Sequence, residues 1–445
     1  MKDRVILHCD LNNFFASVEI LKNPELRGKA VAVCGDPKMR HGIVLAKSEP
    51  AKKCGVKTGM PIWQAKQLCP NIVIVSTNHS DYNKYSKLAR ELYYRFTDLV
   101  EPFGCDECWL DVTGSLKLFK STPFELAETI RNTMREELGL TISVGVSWTK
   151  TFAKLASDIK KPDATTEITR DNYRDIIWKL PITDFLNIGR KTAKVLEKQN
   201  ILSVGDLAVA NAEVLRGHLG IGAYKLIDAA NGVDDDPVSL ATDKHEIKSV
   251  GNGTTLHRNL LCLSDVSQVL YLLSEEIAYR MRKKGVKGTT VTVSVRGVTL
   301  EWISTQETIA KATSSAKNIH ANALEIFKKM WRLPESDPVT KKIGNHAQGV
   351  PQTNVGGSPV MTSASEEQRS RVSGVVMSLR VKVSNLVTDE EQICFFDETN
   401  EKDNDKLGKL FDKIRAKYGT ESIMFGTGIT GEFKLDFEVI DEFHV

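Results

Sequence analysis

The sequence predicts a multidomain α+β protein, and three observations carry that prediction. Its 445 residues, 41% of them hydrophobic, can bury about three or four cores rather than one. Residues 1–20 and 80–169 alternate strand and helix patterns, whereas around residue 180 the pattern changes to helices joined by glycine turns. After a helix-breaking run, Asn231-Gly232-Val233-Asp234-Asp235-Asp236-Pro237, strand and helix patterns return.

In chain order, Val5-Ile6-Leu7-His8-Cys9 is a buried strand that Asp10 ends, and Leu11 to Glu19 turns at once into a helical pattern. Residues 21–79 carry Pro24, Gly28, Gly35, Pro37, Gly42, Pro50, Gly55, Gly59, Pro61 and Pro70, the punctuation of a small separate domain. In Glu101-Pro102-Phe103-Gly104-Cys105-Asp106-Glu107-Cys108-Trp109-Leu110-Asp111, two adjacent acids form the tip of a β-hairpin. Alone, Asp106-Glu107 is a solvated turn and Asp10 a strand cap. Together, a carboxylate leaving one strand and an acidic tip beside it suit a pair of Mg²⁺ ions roughly 3.5–4 Å apart, the clamp of an in-line phosphoryl displacement.

Farther on, Leu186-Asn187-Ile188-Gly189-Arg190-Lys191-Thr192 and Leu219-Gly220-Ile221-Gly222 read as helix-hairpin-helix turns, where glycine lets backbone N–H groups approach a phosphate. Residues 334–372, rich in Ser, Gly, Thr, Pro, Gln and Asn, have too few large apolar side chains to order and read as a flexible insertion. Net charge is only +3, but residues 241–333 hold 14 Lys/Arg against 8 Asp/Glu, and residues 334–445 hold 13 against 19. A basic region followed by an acidic one fits DNA contact and then protein contact.

Eight cysteines lie mostly within apolar runs, the first residues lack a signal peptide, and no 18-residue apolar span occurs. A reduced, cytoplasmic, monomeric protein with no membrane partner is expected. Cys105 and Cys108 have no second pair at zinc spacing and read as packing beside the acids.

The segments His8 to Glu19, Arg27 to Val33, Asp106-Glu107 with Trp109-Leu110-Asp111, Ser143 to Ser147, Phe152 to Asp158 and Lys161-Pro162-Asp163 resemble, in order, the motifs of Y-family DNA polymerases, most closely their DinB, or polymerase IV, group. The resemblance implies a right-hand polymerase: palm at 1–20 and 80–169, small fingers at 21–79, helical thumb at 170–235, linker at 236–247, little finger at 248–388 and a tail at 389–445. It implies low-fidelity, template-directed translesion synthesis on primer–template DNA from dNTPs with two Mg²⁺ ions. Asp10, Asp106, Glu107 and the Leu11 carbonyl would hold the ions, Phe14, Lys52 and Lys161 the dNTP, and Phe15 would be the steric gate against a ribose 2′-hydroxyl. Glu49 departs from the family's usual Tyr, and Leu45 from a smaller residue over the nascent base pair. In the tail, Gln392, Ile393, Phe395 and Phe396 resemble a sliding-clamp peptide; the alternative is docking on the little finger with an amphipathic helix over Lys406 to Tyr418 behind. Two other functions compete: a nucleotidyl cyclase-like palm, which has no use for hairpin-helix turns, and a non-catalytic DNA-binding subunit, which has none for the acids.

Overall fold

The computed structural model describes residues 4–35, 42–240, 246–335, 372–388, 399–419 and 422–423, which fall into two compact units, one up to residue 240 and one from residue 246. In the first, β1 (Ile6–Leu11) is wholly buried because both its faces are covered. Leu7, Cys9 and Leu11 enter one core, while Ile6, His8 and Asp10 alternate to the other side. After α1 (Phe14–Lys22), the strands β2 (Val31–Cys34), β3 (Val44–Lys47) and β4 (Val73–Ser76) make a sheet of order β3-β2-β4. Helices α2 (Glu49–Lys53) and α3 (Ile62–Leu68) close a small core of its own around Val44, Ala51, Ala65 and Ile72.

The main sheet is completed by α4 (His79–Tyr93), β5 (Val100–Phe103), β6 (Glu107–Asp111), α5 (Leu116–Phe119), α6 (Pro123–Leu138), β7 (Ile142–Ser147), α7 (Lys150–Ile159) and β8 (Thr165–Glu167). Its order is β5-β6-β1-β7-β8, antiparallel except between β7 and β8. Val18, Tyr82, Leu92, Ile130 and Met134, from α1, α4 and α6, bury one face. Helix α6 begins in a Thr122–Glu125 capping box, with Pro123 in its first turn, and stops at left-handed Gly139. On the other face α7 lies hard against β7. A Cβ on Gly145 would sit 1.9 Å from the Ala153 carbonyl oxygen, so only glycine permits this approach.

Helices α8 (Tyr173–Ile176), α9 (Arg190–Glu197), α10 (Val204–Ala208), α11 (Ala212–Leu219) and α12 (Gly222–Ala230) pack through Leu196, Leu207 and Leu215 onto Phe152 and Leu155 of α7. Beyond them, the segment expected to start a linker at residue 236 stays on the first unit. Lys150 Nζ donates to Asp236 (2.9 Å), the Ser239 N–H donates to Glu101 (2.8 Å), and Val238 is buried. Composition marked this stretch as a helix breaker, but its Asp236 finds the Lys150 ammonium and its Ser239 N–H finds Glu101, both on the main sheet's elements.

The second unit runs β9 (Ser249–Leu260), α13 (Leu263–Lys283), β10 (Val286–Arg296), β11 (Trp302–Thr313), α14 (Ala316–Met330), β12 (Trp331–Arg332), β13 (Val372–Ser373), β14 (Val376–Thr388) and α15 (Thr399–Tyr418). An antiparallel sheet of order β11-β10-β14-β9 has Val291, Val293, Val381 and Val383 under Leu270, Leu273, Ile319 and Phe327 of α13 and α14. Alternation turns Ser294, Arg380 and Lys382 to the opposite face, where the Arg380 guanidinium lies 4.0 Å from the centre of the Trp302 ring. The predicted insertion leaves from β12 and returns through β13, which pair in parallel, Trp331 with Val372. Its first two residues belong to the framework: the Pro334 carbonyl accepts the Leu263 N–H (2.8 Å) and the Glu335 carbonyl that of Ser264 (3.3 Å). Residues 336–371 and the segment Gln392 to Phe396 lie outside the described residues. Helix α15 is pinned to α13 by Arg282–Asp412 (2.7 Å) and Arg415–Glu275 (2.6 Å). Among the described residues, no helix is long and apolar enough to cross a membrane.

Candidate active site

Register brings the acids together. Asp10 stands opposite Glu107 on the paired strands β1 and β6, and the next residue, Leu11, donates its N–H to the Asp106 carbonyl at 2.9 Å. The hairpin turn that presents Asp106 needs Gly104, whose φ is +77°. Burial, followed by repulsion from Asp10 and Glu107, pushes the Asp106 carboxyl up to about 6. Burial also raises Asp10, although Lys161 and Lys154 oppose the shift.

Two lysines from α7 and the turn after it answer this charge. Lys161 Nζ is 2.6 Å from Asp10 Oδ2 and 2.6 Å from Asp158 Oδ1. Lys154 Nζ is 2.8 Å from Glu107 Oε1, 3.5 Å from Asp10 and 3.6 Å from Asp158. Burial works against both ammonium groups, yet the surrounding carboxylates outweigh it and raise both. Asp106 makes no ion pair among the described residues; its Oδ1 accepts the Cys105 thiol at 3.6 Å. With Asp10 turned to Lys161 and Glu107 to Lys154, no three His, Cys, Asp or Glu side chains among the described residues converge as a ready metal cage. The donors are nevertheless all hard oxygens in a half-sealed cleft carrying surplus negative charge, chemistry that fits divalent cations of the Mg²⁺ type.

At the start of α1, Phe14 is 3% exposed and part of the core, so its ring has no surface to offer a nucleotide. Phe15 is half-buried and stacks on Tyr82, with centroids 4.0 Å apart and an interplanar angle of 10°, while His79 meets it edge-on. The Tyr82 hydroxyl donates to Glu19 at 2.7 Å, which fixes the plate behind Phe15. Glu49 accepts from the Asn13 side chain at 3.0 Å and lies 3.7 Å from Lys52 Nζ, so its charge is partly met by these two neighbours.

Residues 9–158 match the impB/mucB/samB family, and residues 247–358 match that family's C-terminal domain. A DNA polymerase IV from Acetivibrio thermocellus is 48% identical over 74% of this chain and 82% of its own length. Another, from Clostridium acetobutylicum, is 32% identical over 95% of this chain and 97% of its own. The chain belongs to the Y family of DNA polymerases, in its DinB branch. Its architecture agrees: a Y-family DNA polymerase chimera superposes with a TM-score of 0.68 at 24% identity, covering 86% of this chain and 99% of its own. DinB from Sulfolobus solfataricus does so with a TM-score of 0.51 at 23% identity over the same shares.

The structure brings together the three acids and Lys161 that the sequence singled out, and sets behind them groups that the sequence reading did not assign. Lys154, Ser157 and Asp158 recur at helical spacing along α7, where Lys154 reaches Glu107, Ser157 meets His8 and Asp158 meets Lys161, a period visible in the sequence once the helix is known. His8 precedes Asp10 by two residues and so shares its face of β1.

Asp106 carries a testable electrostatic cost. Its folded value of about 6 exceeds the unfolded 3.8, so the ionised carboxylate weakens the fold at pH above 6 and ceases to do so as the pH falls through 6 towards 4. Asp106→Asn in EDTA should therefore raise stability on the order of 1–3 kcal/mol at about pH 8, with the gain shrinking by about pH 5. Denaturant unfolding at the two pH values checks it; a loss of stability at pH 8 would contradict the assigned cost.

Proposed function

We propose that Asp10, Asp106, Glu107 and the Leu11 carbonyl would hold two Mg²⁺ ions in an enzyme that joins a primer 3′-hydroxyl to the α-phosphorus of an incoming dNTP and releases pyrophosphate. The enzyme is a DNA-directed DNA polymerase acting in translesion synthesis, and Y-family polymerases work with divalent metal ions. When bound, such ions would lower the pKa of the attacking hydroxyl and neutralise the departing pyrophosphate. The observation that carries this reading is the register of Asp10 against Glu107 with Asp106 at the adjoining turn.

The chain's own groups then align the reactants. Lys161, already raised by Asp10 and Asp158, offers a permanent cation to the triphosphate, and Lys52 offers a second from the fingers. Phe15, braced flat against Tyr82, cannot yield to a ribose 2′-hydroxyl without unstacking. Helices α9 and α12 start with no side-chain cap at Gly189 and Ile221, which leaves first-turn N–H groups for primer–template phosphates. In the second unit, the open sheet face with Arg380 and Lys382 suits a phosphate backbone. A non-catalytic DNA-binding subunit would need only these last features. We also propose that the enzyme works as a cytoplasmic monomer and engages a sliding clamp through Gln392, Ile393, Phe395 and Phe396, a peptide common in type among replication proteins.

Primer extension with Mg²⁺ tests the central assignment. Asp10→Asn should cut extension by at least about a hundredfold with primer–template affinity nearly unchanged, and near-normal extension would remove Asp10 from the site. For the gate, Phe15→Ala should admit ribonucleotides far more readily while deoxynucleotide incorporation persists. A sugar preference equal to that of the unaltered enzyme, by steady-state incorporation, would place the gate elsewhere.

A further inference from the structure

One side of α6 grips the turn that carries Lys161, and no step above uses that grip. Leu126, Ile130 and Met134 of α6 enter the core, which leaves Glu128, Arg131 and Arg135 as a polar stripe at i, i+3 and i+7 along the same helix. The Arg131 side chain is 15% exposed. Its Nε and Nη2 donate to the two carboxylate oxygens of Glu128 at 3.0 and 2.6 Å, a fork that sets the plane of the guanidinium and aims the remaining nitrogen, Nη1. Nη1 donates to Asp163 twice, to Oδ1 at 2.8 Å and to the main-chain carbonyl at 3.2 Å. Arg135 Nη2 donates to the other carboxylate oxygen, Oδ2, at 2.5 Å.

We infer that Arg131 is a positioning residue for triphosphate binding, which clamps Asp163 and so fixes the point in the main chain from which Lys161 reaches into the cleft. Lys161 and Asp163 share the turn between α7, which ends at Ile159, and β8, which starts at Thr165. The far end of that turn is tied to the sheet, since the Val144 N–H donates to the Ala164 carbonyl at 2.9 Å. Between the two ends, Asp163 stands in the left-handed region, with φ at +56°, a conformation that surrounding contacts must hold. Arg131 holds it by the carbonyl and the carboxylate at once. Arg135 holds the carboxylate alone from a side chain 43% exposed, the weaker of the two grips. A lysine has a long flexible stem, so where its ammonium lies depends on where its main chain is placed. Loosening the turn therefore misplaces the cation that meets the triphosphate while leaving Asp10, Asp106 and Glu107 where they are.

This inference rests on the triphosphate role proposed for Lys161, and its test separates the two. With the full chain on primer–template DNA and Mg²⁺, the single-turnover rate is followed against dNTP concentration. Arg131→Met should weaken dNTP affinity about tenfold while the maximal rate and the DNA Kd stay within about twofold, a split that general loosening of the palm would not produce. Asp163→Asn, which keeps a side-chain oxygen and the carbonyl for Nη1, should stay close to the unaltered enzyme, whereas Asp163→Ala should match Arg131→Met. In a Lys161→Met background, Arg131→Met and Asp163→Ala should cost nothing further. If Arg131→Met does not fold, the Asp163 pair decides, alone and in that background. Unchanged dNTP affinity in Arg131→Met, or an equal loss that persists without the Lys161 ammonium, would overturn the clamp. Normal dNTP affinity in Lys161→Met alone would instead overturn the triphosphate role of Lys161, and the inference with it.

Discussion

Everything at this site depends on the antiparallel pairing of β1 with β6. A shift of one residue would turn Asp10 into the apolar core and bring Cys9 to the cleft, because strand side chains alternate faces. The register is therefore enforced by burial: Leu7, Cys9, Leu11, Cys108 and Leu110 fill one core, and no slipped pairing keeps them there. The acidic residues gain their position from the apolar ones between them.

Such a pairing concentrates negative charge where water is scarce, and the fold meets that cost from a single helix. Helix α7 is held tight to the sheet by Gly145, and its Lys154, Ser157 and Asp158 project as one stripe, with Lys161 just beyond. Asp158 accepts from Lys161 at 2.6 Å and lies 3.6 Å from Lys154, which keeps both lysines near the acids. Charge balance thus comes from the ammonium groups of Lys154 and Lys161, paired with Glu107 and Asp10. Asp106, with no lysine partner among the described residues, keeps the largest uncompensated share.

Much of this was legible in the sequence because it follows local rules. The strand that carries Asp10 and the hairpin that carries Asp106-Glu107 each follow from residue type and period. Phe14, expected to hold the dNTP, is instead core, and Phe15 beside it is half-buried, because neighbours on a helix cannot both face inward. What stayed hidden was relational. His8 looks like one more residue in an apolar strand until α7 is laid on the sheet, and no local pattern says that Asp236 will find Lys150 across 86 positions. Likewise, the close approach demanded at Gly145 depends on a helix that follows it in the chain.

If Asp10 holds a divalent cation as proposed, that ion must compete with the Lys161 ammonium now paired with the same carboxylate. Manganese binding to the DNA-free, nucleotide-free protein, followed by electron paramagnetic resonance for the unaltered chain and for Lys161→Met, tests it most directly. The account predicts several-fold tighter binding by Lys161→Met, since Asp10 loses the ammonium 2.6 Å from its Oδ2. An affinity that is unchanged or weaker in the variant would contradict it.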